Sequence, residues 1–155
     1  MIERGHAKQR TAKRVSPEKA AVMALLRASD IVRRHFTAIV EPYGITLQQF
    51  NVLRILRGAG ESGLPTLEIV ERMIETTPGI TRLLDRLEAK RLVRRERCSV
   101  DRRQVLCWIT EEGRAILAKL DTAIEEADRA VVAGLRKPQL ATLVLYLDTI
   151  SMKHG

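Results

Sequence analysis

Apolar residues recur along most of this chain at helical spacing, and the period drops to two in a single short stretch. Val22, Leu25, Leu26, Val32, Phe36, Ile39 and Val40 fall on one helical stripe. Ser16, Pro17 and Glu18 precede it as cap, first-turn proline and first-turn acid, and Pro42 and Gly44 close it. A second helix opens at Thr46, where Thr46 and Gln49 have capping-box spacing and Ile45 faces Phe50 as a hydrophobic staple; it continues through Leu53 and Leu56 to Gly58. Thr66 is placed to cap a shorter helix carrying Leu67, Ile69, Val70 and Met73. Thr77 and Pro78 are placed to open another, whose Ile80, Leu83, Leu84 and Leu87 form one stripe. Then Arg94 to Cys98 and Gln104 to Ile109 alternate about a charged turn at Asp101, Arg102 and Arg103, which predicts a two-stranded hairpin. Thr110 caps the following helix, and a last helix after Pro138 carries Leu140, Leu143, Leu147 and Ile150.

The fold class predicted is mainly α with a small two-stranded β wing: a winged helix-turn-helix flanked by long dimerisation helices. It divides into a flexible basic arm (1–15), a first dimerisation helix (16–44), the winged helix-turn-helix (45–110) and C-terminal dimerisation helices (111–155), all in one continuous domain. The dimer is predicted from the helix that Thr110 caps. Leu117, Leu120, Ile124, Ala127, Val131 and Leu135 are spaced three or four apart, like a coiled-coil seam. From Glu111 to Leu135 such a helix is roughly 37 Å long, too long for a small monomer to bury its whole stripe. Val22, Leu25, Leu117, Leu120, Ile124, Val131, Leu140, Leu143 and Leu147 are the predicted interface.

Charge adds location to this outline. The chain has 155 residues and a net charge of +8, and the excess lies in two places. One is residues 1–14; the other, from Arg82 to Arg103, holds nine basic against four acidic residues. Clustering of this kind is the footprint of a phosphate-binding surface. No apolar run approaches the ~18 residues or more that span a bilayer, and the polar N-terminus lacks a signal-peptide core, so a cytoplasmic protein is expected. Two cysteines make no disulfide framework, and five aromatic residues are too few for a single-strand stacking platform.

A recognition helix must pack one face on its domain and leave the other free for the major groove. With Ile80, Leu83, Leu84 and Leu87 inward, Gly79, Thr81, Arg82, Asp85 and Arg86 point outward. Arg82 and Arg86, four apart, are placed to read bases. Thr77, Pro78 and Gly79 put the helix N-terminus near a phosphate. Arg94, Arg95, Arg97, Arg102 and Arg103 arm the adjacent hairpin.

At these residues the chain resembles the multiple antibiotic resistance regulator (MarR) family of dimeric winged-helix transcription factors. Thr77 to Glu88 looks like the family's recognition helix. Asp101 to Thr110 fits its wing signature, D-x-R followed after five residues by Leu or Ile and then Thr, and the likeness runs from about Ser16 to the C-terminus. The resemblance implies a homodimer on double-stranded DNA, binding a pseudo-palindrome. Recognition helices would lie in major grooves and each Arg103 in a flanking minor groove, with Asp85 holding Arg103 by an ion pair and Asp101 supporting the wing. It also implies a small aromatic effector near His35, Phe36, Ile39 and Phe50. Two positions depart from the family pattern. Arg91 stands where glycine usually ends the recognition helix, which predicts a different ending, and Cys98-Ser99-Val100 replaces the frequent wing prolines.

Other signals carry less. Gly58-Ala59-Gly60-Glu61-Ser62-Gly63 has the letters of a dinucleotide fingerprint but follows a helix and leads to Leu64-Pro65, so it reads as a flexible turn. Cys98 and Cys107 both fall in the wing, and a register that joined them would make a redox switch. His6, His35 and His154 have no metal-site spacing. No catalytic motif is present and no cofactor is expected. The function that follows is a sequence-specific transcriptional regulator, a repressor occupying a promoter. The rivals are a sequence-indifferent architectural nucleic-acid binder and a helical module for acidic protein partners.

Overall fold

Local capping chemistry starts the helices in a computed structural model that describes residues 15–75 and 78–154. Residues 1–14 of the basic arm and Thr77 therefore lie outside the described residues. The Lys19 amide donates to Ser16 Oγ at 3.3 Å, opening α1 (Pro17–Val40). Hydrogen bonds from the backbone and from Ser16 at that helix start hold the Glu18 carboxyl below its ordinary value. The chain forms two compact units, residues 1–33 and 34–155. In the first, Val22, Met23, Leu25, Leu26 and Ile31 are exposed.

The second unit begins within α1 and turns through a short 3₁₀ segment, Glu41–Tyr43, to Gly44 at φ 71°. At α2 (Leu47–Ala59) the capping box is complete: the Gln49 amide donates to Thr46 Oγ1 at 3.2 Å, and the Thr46 amide to Gln49 Oε1 at 3.1 Å. After α2, Gly63 leads into a two-residue strand, β1 (Leu64–Pro65), which precedes α3 (Thr66–Arg72). Thr66 does not cap α3 as expected. Pro65 holds the cap position, and the Thr66 hydroxyl donates instead to Val105 O at 3.3 Å. Pro78 likewise stays outside α4 (Ile80–Ala89), because Gly79, at φ 89°, makes the turn into that helix.

The far end of α4 corrects a second expectation. Arg91 takes the left-handed conformation, φ 60°, that glycine would have taken. The Leu92 amide donates to Leu87 O at 3.0 Å and the Arg91 amide to Glu88 O at 2.8 Å, which is a Schellman motif. Left-handed arginine costs on the order of 1–2 kcal/mol. Burial of both Leu87 and Leu92 in the core offsets it.

Strands β2 (Val93–Arg97) and β3 (Val105–Ile109) form the predicted hairpin, with Val93 opposite Ile109 and Arg97 opposite Val105. Strand β1 pairs antiparallel with the other edge of β3, so the order is β1-β3-β2. The glycine-rich turn before β1 is packed rather than flexible. Trp108 lies against Gly63, whose φ is 68°, and its Nε1–H donates to Glu61 O at 3.0 Å.

The Thr110 hydroxyl accepts the Gly113 amide at 3.1 Å and starts α5 (Glu111–Val131), which ends before Leu135 and is about 31 Å long. Its stripe is largely spoken for. Leu117 and Leu120 are fully buried and Ile124 nearly so, in the core formed with Phe50, Val52, Leu53, Leu56, Ile69, Leu84 and Leu87. These three belong to the interior of the unit, not to a dimer surface, because α5 packs on α2; there Arg57 makes two 2.9 Å hydrogen bonds to the Asp121 carboxylate. Val131 is 39% exposed. In α6 (Lys137–His154), Leu143, Val144, Leu145, Tyr146, Leu147 and Ile150 are exposed and Leu140 half-buried. No helix of the described residues is long and apolar enough to cross a membrane.

Candidate nucleic-acid interface

An amphipathic α4 with three buried leucines leaves its other side free. Leu83, Leu84 and Leu87 anchor it, while Thr81, Arg82, Asp85 and Arg86 are exposed. Pro78 and Gly79, also exposed, lead into its N-terminal end, where backbone N–H groups lack intrahelical partners. An open cleft of about 400 Å³ is lined there by Gln48, Pro78, Gly79, Arg82, Leu83 and Arg86. Sequence reasoning missed Gln48. Its position two residues after the Thr46 cap puts it in the first turn of α2, and only the packing of α2 on α4 reveals that it joins this surface.

The wing places a second set of cations. Arg97, Arg102 and Arg103 are exposed along the hairpin and its tip. Asp101 organises the turn: its carboxylate accepts the Arg103 amide at 3.0 Å and its carbonyl the Gln104 amide at 2.9 Å. The Cys98 amide then donates to Gln104 O at 2.9 Å, closing the hairpin without the missing prolines.

Two expected roles fail here. Asp85 does not hold Arg103; its Oδ1 accepts from Arg95 Nη2 at 2.6 Å. Arg95 in turn is not a free cation for DNA. Its side chain is only 20% exposed, and Nε and Nη2 reach Glu88 Oε2 at 3.0 and 2.5 Å. The Glu88 hydrogen bond, and more weakly Asp85, raise its pKa against the opposing effect of burial. The central place of Arg95 on β2 turns it toward α4, whereas Asp101 keeps Arg103 at the tip. Arg94, on the opposite face of the sheet, lies over the Trp108 ring at 4.4 Å and pairs with Glu96.

The remaining candidates disperse. Cys107 is fully buried opposite Arg95, three positions along the ladder from Cys98. At about 3.3 Å per residue that is roughly 10 Å, beyond the ~7 Å a disulfide spans, so the wing register rules out the redox pair. Burial pushes the Cys107 thiol up, against the Thr66 hydrogen bond and the Arg95 charge. Of the suggested effector residues, Phe50 is 5% exposed and part of the core. Phe36 and Ile39 are half-buried against that core, and exposed His35 meets Phe36 edge-on at 6.2 Å. No group of acidic, His or Cys residues among the described ones is arranged to hold a metal ion.

Comparison with known proteins places this geometry. A sequence profile described as MarR family matches residues 43–104. The homoprotocatechuate degradative operon repressor of Escherichia coli is 30% identical over 126 residues, covering 81% of this chain and 84% of that protein. A mutant E. coli MarR crystallised with operator DNA superposes with a TM-score of 0.76 at 25% identity, over 89% of this chain and 99% of that one. Bordetella bronchiseptica BpsR, studied for regulation of its DNA binding by 6-hydroxynicotinic acid, gives a TM-score of 0.75 at 24% identity, over 85% and 98% of the two chains.

Proposed function

The chain belongs to the MarR family of winged helix-turn-helix regulators, and from that premise we propose that it is a dimeric repressor that reads a pseudo-palindromic operator. What carries the reading is the pairing of Arg82 and Arg86 on the exposed face of α4, beside an open cleft at the helix N-terminus. Arginine forks in a major groove recognise guanine bidentately. Thr81 and Gln48 border the same surface, and the Pro78–Gly79 backbone together with Arg97 and Arg102 meets phosphates. Arg103, at the wing tip, enters the flanking minor groove. Half-sites lie about one helical turn apart, as for helix-turn-helix dimers generally.

The dimer is supported by apolar side chains that stand open to solvent in a single chain. Val22 and Leu25 do so on α1, and Leu143, Leu145, Tyr146 and Leu147 on α6. Isolated exposure is ordinary, but five successive exposed apolar residues on α6, Leu143 to Leu147, call for a partner. Repression is supported by the E. coli relative, itself a repressor. A small aromatic effector is supported by BpsR and by the accessible His35–Phe36 edge. It would release DNA only by binding the incompetent geometry better.

Arg82→Ala tests the reading. On a cognate duplex it costs ~1–3 kcal/mol and relaxes preference at one base pair, with little change on unrelated DNA. Equal losses on both would assign Arg82 to phosphate and favour the architectural alternative.

A further inference from the structure

We infer that Arg95 is a positioning residue, a strut from the wing that fixes the roll of the recognition helix and thereby governs sequence preference through Arg82 and Arg86. The inference rests on the site-specific reading above. Arg95 lies at the middle of β2 with its side chain four-fifths buried, whereas Arg82, Arg86, Arg97, Arg102 and Arg103 are exposed. Its fork binds two carboxylates of one helix, Asp85 at 2.6 Å and Glu88 at 2.5 and 3.0 Å. Asp85 and Glu88 are three apart, so they share a face of α4 one turn along from Arg82.

A helix tied at one point is free to roll about its axis, while one tied at two successive turns is not. With a helix radius of roughly 5–6 Å including side chains, a 10° roll carries an arginine head about 1 Å. That exceeds the ~0.5 Å window of a good N–H···O bond, so base contacts at Arg82 and Arg86 depend on the strut. Arg95 cannot also serve as a phosphate cation at full strength, because two carboxylates already neutralise it and its Nε and Nη2 donors are engaged.

The experiment compares the full chain with Arg95→Lys and Glu88→Gln on two probes: a duplex that the wild type enriches from a random pool, and a random-sequence duplex of equal length. Lysine keeps the charge but not the fork, and Glu88→Gln removes a negative charge and weakens one tie from a charged to a neutral hydrogen bond. The strut predicts that both variants lose about tenfold or more on the enriched duplex, with binding of the random duplex and the salt slope held. A phosphate role predicts the opposite. Arg95→Lys would keep its preference, Glu88→Gln would tighten both duplexes together, and Arg95→Met would lower the salt slope by about 0.9. Hydrogen exchange on the DNA-free proteins decides independently of any operator. Faster exchange of α4 amides in Arg95→Lys supports the strut, and unchanged exchange overturns it. If the wild type enriches no duplex, the site-specific reading fails while the exchange result still judges the strut. If Arg95→Lys loses its cooperative unfolding, Glu88→Gln, which keeps the Asp85 tie, carries both measurements.

Discussion

Replacing Gly63 with alanine tests the base of the wing. Gly63 holds φ 68° and ψ 180°, a region that side chains essentially do not enter, at a cost of about 1–3 kcal/mol for alanine. Its Cβ would stand 2.5 Å from Trp108 Cε2 and 2.6 Å from Nε1. Ordinary contact needs ~3.5–4.0 Å, so the indole must retreat by about an ångström. That breaks its hydrogen bond to Glu61 O, worth about 1 kcal/mol. The sum, about 3 kcal/mol, lowers the melting temperature by ~6–12 °C for a chain of this size. Gly58→Ala is the control. Gly58 lies inside α2 with nothing within 4 Å of an added Cβ, so it gains ~0.5–1 kcal/mol. Thermal unfolding followed by circular dichroism measures both. Emission from Trp108, the one tryptophan in the chain, reports the wing directly. A Gly63→Ala protein melting within about 2 °C of wild type, with unshifted emission, would refute this account of the turn.

Three further outcomes follow from the same structure. Because burial raises the Cys107 thiol above its unfolded value, the folded state keeps a proton that the unfolded chain releases; stability is level below about pH 8.5 and falls as pH rises beyond it. Urea melts from neutral to alkaline pH show this slope reduced in Cys107→Ala, and parallel profiles would contradict it. Leu120→Ala, at a fully buried site, costs ~2–5 kcal/mol while leaving the assembly intact, whereas Leu143→Glu shifts sedimentation toward the monomer; the reverse pattern would return α5 to the interface. Arg103→Ala weakens binding chiefly on duplexes with A/T-rich flanks, where a narrow minor groove attracts arginine, and equal losses on G/C-rich flanks would remove the wing from the groove.

Local chemistry was legible in the sequence where one or two neighbouring residues decide it. The Thr46–Gln49 box, the Thr110 cap and the β2–β3 hairpin all sit where spacing and alternation put them. Features that tertiary contacts decide were not. Two residues, Leu64 and Pro65, show no period, yet β3 recruits them as a strand. Arg91 keeps a glycine's conformation because Leu92 and Leu87 are buried beneath it, a gain that no local preference records. The α5 stripe has coiled-coil spacing, but its partner is largely α2 of the same chain. At the candidate interface the exposed arginines of α4 follow from the amphipathic pattern. Which wing arginine meets Asp85 depends on strand register, and Arg95 rather than Arg103 lies within reach.

Polar ties join the C-terminal end of α4 to its surroundings. Lys90 Nζ, just past α4, donates to Gly44 O at 2.5 Å and to Gln49 Oε1 at 3.3 Å, and Gln49 is 2% exposed. The Thr110 hydroxyl donates to Arg91 O at 2.7 Å while its amide donates to Leu92 O at 3.1 Å. The start of α5 is thus hydrogen-bonded to the end of α4.

Enriching bound duplexes from a random pool with the full chain, and measuring the winners at two salt concentrations, shows whether α4 reads a base sequence. The expected winner is an inverted repeat with half-sites about 10 base pairs apart, bound ~10³-fold or more tighter than random DNA. Salt-sensitive binding that enriches no repeat would contradict it and reduce α4 and the wing to phosphate contacts.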